Sequence, residues 1–117
     1  MITWAMLSII EEAATAVLTL TEGIAEDEFR RSRLTRSEVL KQVTAMATSF
    51  GNLDGEARKA LPEIDWEGWR VVRRGIEAGG DACHEAVWFA IQALIPATMM
   101  WLRVYRKSEP GLFSLRM

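Results

Sequence analysis

The sequence predicts an all-α fold, an up-and-down bundle of four main helices, from two observations. Apolar residues recur at spacings of three and four over long stretches, the period of a helix that buries one face. Helix-capping residues, glycines and prolines then divide those stretches into segments of helical length.

Ile2, Met6, Ile9, Ala13, Ala16 and Leu20 share one face of a first helix that ends before Gly23. The charged run EDEFRRSR connects it to the next helix, with room for a helical turn of its own. Thr35 and Glu38 form a capping box for the second helix, with Leu34 and Val39 at the staple positions and Val39, Val43, Met46, Phe50 and Leu53 facing inward. Gly51, Asp54 and Gly55 weaken that helix, and Pro62 forces Leu61 out of the helical region. Asp65 caps a third helix, with Ile64 and Trp69 as a second staple pair and Trp66, Trp69, Val72 and Ile76 inward. Gly79 and Gly80 stop it, and Asp81 caps a fourth helix that runs to about Arg106 with a kink near Pro96.

The last helix carries two apolar rows. Val87, Ile91, Leu94, Thr98 and Trp101 suit the core of the chain itself; Trp88, Ile95, Met99 and Leu102 are left over. A helix apolar nearly all round is normally covered on both sides, so the second row is expected to be a homodimer interface. Residues 1–107 then form one domain and 108–117 a short C-terminal tail.

With 117 residues, half of them apolar and 26% charged, the chain has the composition of a single folded domain. A net charge of -2 excludes a surface that attracts nucleic acid all over, so any RNA contact is local. Of the 14 basic residues 11 are arginines, clustered around Arg30–Arg36, Arg70–Arg74 and Arg103–Arg106; solvated helix faces account for most such clusters. Cys83 is the only cysteine, which rules out an intrachain disulfide and fits a reducing, cytoplasmic setting. No basic leader precedes Glu11 and Glu12, and the uncharged stretch Ala86–Leu102 contains Gln92 and Pro96. A buried helix rather than a membrane span is expected there.

The stretch LPEIDWEGWRVVRR, followed by GIEAGGDACHEAVW, resembles the Pro-Glu-Ile-x-Trp signature and arginine helix of the HepT-like HEPN family. FRRSRLTRSEVLKQV is similar to that family's second helix, and HEAVWFAIQALIPAT to its last. The resemblance implies a helical, dimeric, metal-independent endoribonuclease toxin without cofactor. It also implies a small nucleotidyltransferase antitoxin that modifies a motif tyrosine. In the family an arginine is followed, after four to six residues, by a histidine and, two further on, by the tyrosine. Arg73 fits the arginine, but Ala78 and Gly80 stand at the other two places, and Thr48 stands where the family tends to carry a glutamate.

Such chemistry needs a group to accept a proton from the ribose hydroxyl and a cation to stabilise charge on the phosphate. Arginine suits the second task and a near-neutral histidine the first; this chain retains the cation and lacks the base. The leading expectation is a catalytically degenerate binding module, in which Arg70, Arg73 and Arg74 contact RNA or a nucleotide. A ribonuclease with a site rearranged around Arg73, Arg74 and His84 is the alternative, and a structural homodimer without nucleic-acid affinity a third. On the plainer reading His84 is a polar first-turn residue near Asp81 and Glu85, Cys83 a small buried thiol, and Arg73 or Arg74 pairs with Glu77. No glycine-rich phosphate loop or zinc spacing is present.

Overall fold

The computed structural model describes residues 3–113, and every regular element among them is helical. The order is α1 (Thr3–Thr21), α2 (Glu26–Arg31), α3 (Arg33–Asn52), α4 (Gly55–Ala60), α5 (Trp66–Ala78) and α6 (Gly80–Phe89). A π-helical turn (Ala90–Leu94), α7 (Ile95–Ser108) and a 3-10 turn (Pro110–Phe113) follow. α1 packs along α3, α5 packs on α3 and α6, and the 3-10 turn folds back onto α1 and α7.

The seam between α1 and α3 is the largest part of the core. Leu7, Ile10, Ala14 and Val17 are fully buried on α1, as are Val39, Val43 and Met46 on α3. The expected face of α1 is therefore rotated: Ala13 is buried, but Ile9 and Leu20 are 47% and 42% exposed, and Ile2 lies outside the described residues. α1 is apolar around most of its circumference, so its period is legible while its phase depends on what it packs against. Thr21 joins the buried side because its hydroxyl donates to the Val17 carbonyl at 2.7 Å.

α2 is the helical turn expected in the connection. Glu26, Asp27 and Glu28 occupy its first turn and Arg30 and Arg31 its last, both favourable to the helix dipole, and Phe29 anchors it in the core. α3 starts at Arg33, two residues earlier than Thr35, and Leu34 is 82% exposed. The Leu34–Val39 staple does not form: once both residues are helical, five positions place them about 140° apart. Ser32 donates to the Thr35 hydroxyl at 2.9 Å, and neither side chain caps the backbone.

Asp54, expected only to weaken the second helix, caps a separate helix α4 by accepting from the Ala57 amide at 2.9 Å; Leu61 leaves the helix before Pro62, as expected. The Pro-Glu-Ile segment is then fastened to the last helix. The Glu63 amide donates to the Tyr105 hydroxyl at 2.8 Å, and that hydroxyl donates back to the Glu63 carboxylate. The Trp66 indole donates to the Leu61 carbonyl at 3.1 Å, and the Trp69 indole to the buried Thr98 hydroxyl at 3.0 Å. Asp65 caps α5 by accepting from the Gly68 amide at 2.8 Å.

Gly79 turns the chain from α5 into α6 with φ 75°, a region side chains avoid, and is itself the N-cap of α6. Asp81 is consequently not the cap but an exposed residue in the first turn. α5 and α6 cross closely at Gly75, where a Cβ would stand 2.6 Å from that of Ala86. Just before Pro96 a π turn widens the helix, with the Ile95 amide bonded to the Ala90 carbonyl five residues back. A wide turn of this kind absorbs the hydrogen bond that proline cannot make.

The two apolar rows of the last helix merge into one broad buried face. Val87, Ile91, Leu94 and Thr98 are buried, but so are Ile95 and Leu102, each 0% exposed, while Trp88 and Met99 are half-buried against the same core. Of the expected interface row Trp88, Ile95, Met99 and Leu102, the chain itself thus buries Ile95 and Leu102 and leaves Trp88 and Met99 partly exposed. The rows adjoin around the helix, and a core-facing stripe is commonly wider than 100°. The apolar surface that remains outside is Phe89, Met100 and Val104, 42%, 49% and 45% exposed.

Arg106 pairs with Glu11 of α1 and lies over the Phe113 ring at 4.7 Å, which pins the 3-10 turn; residues 114–117 lie outside the described residues. By length and composition alone, Thr3–Thr21 and Gly80–Ser108 could cross a membrane; in this fold each turns one face into the shared core.

Candidate anion-binding cleft between α3, α4 and α5

The cap at Asp65 sets the phase of α5, burying Trp69 and Val72 and turning Arg70, Arg73 and Arg74 outward. Arg70 forms a two-point pair with Glu67, one bond being Nε to Oε1 at 2.9 Å. That hydrogen bond, and then its charge, raise the Arg70 pKa above its ordinary value; the same hydrogen bond chiefly lowers that of Glu67, with Arg74 adding to the effect. Arg73 Nε lies 3.5 Å from Glu77, the surface pair expected at that spacing. Its guanidinium also reaches α3, where Nη1 is 2.9 Å from the place a Cβ on Gly51 would occupy. Glycine at 51 is what lets the arginine lie there.

Arg58, on α4, completes the group. Its guanidinium stands over the Trp66 ring at 5.1 Å, and Nε donates to the Leu53 carbonyl at 3.4 Å. Arg58, Arg70 and Arg73, with the Glu67 that pairs with Arg70, line a cleft of about 250 Å³ whose floor is aromatic. Phe50 stacks on Trp69 with centroids 5.0 Å apart and meets Trp66 edge-on at 5.5 Å. A smaller hollow of about 130 Å³ adjoins it, where Arg73 and Thr48 share a wall. Arg74 lines neither.

His84 is not among the residues lining this cleft. Its Nε2 is 2.9 Å from the Glu26 carboxylate, its side chain is 13% exposed, and its ring lies 6.1 Å from that of Phe29. The expected neighbours were Asp81 and Glu85; the observed partner is on α2, 58 positions away in sequence. Cys83 is half-buried beside it. Ala78 and Gly80 are both exposed, at the α5–α6 corner.

The arrangement suits holding a phosphate better than moving a proton. Three arginines and one glutamate line a small space, no imidazole enters it, and Glu67 and Glu77 are engaged by Arg70 and Arg73, which leaves a net positive lining. A carboxylate whose proton affinity is lowered, as in Glu67, is a poor base for a ribose hydroxyl. Among the described residues no group of His, Cys, Asp and Glu side chains could hold a metal. Sequence reading found Arg70 and Arg73 but missed Arg58, Gly51 and the aromatic floor. Trp66 and the basic segment EARKALP were visible, but nothing local brings them together. No family model, curated protein or solved structure matches the chain.

Proposed function

We propose that this chain is a HepT-like HEPN module, catalytically degenerate, that holds RNA phosphates through Arg58, Arg70 and Arg73 as the binding or regulatory part of a toxin–antitoxin-type system. The observation that carries the reading is a cleft lined by three arginines against one glutamate, with no imidazole. In this reading α1, α3, α5 and the continuous helix from α6 to α7 are the four main helices of the bundle. The protein is cytoplasmic and homodimeric, with Phe89, Met100 and Val104 as the self-association surface in place of the buried Ile95 and Leu102. A nucleotidyltransferase antitoxin is the partner class that the resemblance implies, although Gly80 offers no hydroxyl to modify.

One observation favours a second reading, an active ribonuclease. The Glu26–His84 pair is a base with an orienting carboxylate, and it would act if a partner subunit brought its Arg73 or Arg74 to the imidazole. The test is RNA binding and RNA cleavage by the purified chain beside its Arg73→Ala and His84→Ala variants. The degenerate module gives binding that weakens steeply with salt, drops in Arg73→Ala, and is unaffected by His84→Ala, with no cleavage. Cleavage lost in both variants would establish the second reading, and absence of salt-sensitive binding would leave a structural homodimer.

A further inference from the structure

A separate cleft, of about 330 Å³, opens between α2, the start of α3 and the α5–α6 corner. Phe29 and Val87 are its buried floor, and Leu40, Ile76 and Cys83 its half-buried walls. Gly79 and Gly80 leave the corner bare, since a Cβ on either would meet nothing within 4 Å. No carboxylate lines the cleft. His84 does, but its Nε2 is committed to Glu26. Arg36 is the one lining residue with a permanent charge; it is exposed and makes no ion pair with any described residue.

An apolar trough with one unpaired guanidinium at its rim calls for an amphipathic ligand with a single negative head. A phosphate or a polyanion would leave most of its charge facing hydrocarbon, whereas a carboxylate matches the two-point donor geometry of one arginine. An apolar cavity of about 150 Å³ holds a benzene ring, so a trough of about 330 Å³ has room for an alkyl chain of ~10 carbons.

We infer that this cleft binds a medium-chain monocarboxylate, its carboxylate on Arg36 and its chain laid over Phe29, Leu40 and Ile76. The site is independent of the arginine cleft of α5, and neither assignment needs the other. Occupancy would also cover Cys83, the only thiol in the chain, whose alkylation rate therefore reports on the site.

The experiment titrates the full chain with decanoate below micelle formation, by calorimetry and by the rate of Cys83 alkylation with N-ethylmaleimide. Octanoate, 1-decanol, and the Arg36→Ala and Arg36→Lys variants are run alongside. The expected result is saturable one-to-one binding that slows alkylation. Octanoate, two methylenes shorter, should bind about tenfold more weakly. Arg36→Ala and the uncharged alcohol should each weaken binding about tenfold or more, and Arg36→Lys should recover part of the loss. Absence of saturable binding to the folded chain, equal affinity in Arg36→Ala, or binding that leaves Cys83 alkylation unchanged would each overturn the assignment. Arg36 is exposed, so its loss leaves the fold intact and the comparison interpretable.

Discussion

Tyr105→Phe removes one oxygen from a point where two distant parts of the chain are tied. In the native protein that oxygen accepts from the Glu63 amide and donates to the Glu63 carboxylate, while the ring, 5% exposed, packs 6.1 Å from Trp101. Phenylalanine keeps the packing and loses both bonds. Burial first, and the bond to Glu63 second, push the Tyr105 pKa from 10.0 up to about 12. Burial penalises the ionised form without stabilising the neutral one, so near neutral pH only the two hydrogen bonds count toward the difference between tyrosine and phenylalanine. Loss of the two bonds should therefore cost about 1–2 kcal/mol near neutral pH.

The pH dependence has a definite sign. The folded pKa lies above the unfolded one, so this stabilisation is fully present below pH 10 and is lost as pH rises from 10 toward about 12. Urea unfolding of both proteins, followed by circular dichroism at neutral pH and again at alkaline pH, measures it. Wild type should be the more stable by about 1–2 kcal/mol at neutral pH, with the gap narrowing as pH climbs above 10. A difference below ~0.5 kcal/mol at neutral pH, or a gap constant up to alkaline pH, would refute the argument that the hydroxyl ties the Pro-Glu-Ile segment to α7.

Gly75→Ala should destabilise by about 1–3 kcal/mol, because the added methyl would sit 2.6 Å from the Ala86 Cβ and 3.0 Å from the Ala82 carbonyl oxygen; a thermal melt unchanged from wild type would show that α5 and α6 do not cross there. Asp65→Ala should cost ~1 kcal/mol in urea unfolding by leaving the Gly68 amide without its acceptor, and Asp65→Asn should restore most of it. Phe89→Asp combined with Met100→Glu should convert a dimer to a monomer in analytical ultracentrifugation with little change in the stability of the fold. A wild-type chain already monomeric, or a double variant still dimeric, would count against that surface.

What could be read from the sequence alone is what neighbours within a few positions decide. The cap at Asp65, the exit from helix at Leu61, the stop at Gly79 and the Arg73–Glu77 pair all depend on groups close along the chain, and each stands as expected. So do the all-α character and the periods of the helices. What only the tertiary structure decided is phase and partnership. The rotation of α1 that exposes Ile9, the outward Leu34, and the burial of Ile95 and Leu102 follow from which helix lies against which; a period cannot state this when a helix is apolar on more than one side. The Tyr105–Glu63 tie, the His84–Glu26 pair and the placing of Arg58 and Arg73 on one cleft bring together groups that local chain geometry leaves apart. Side chains on different helices come within bonding distance only once the shared core has set the helices against one another.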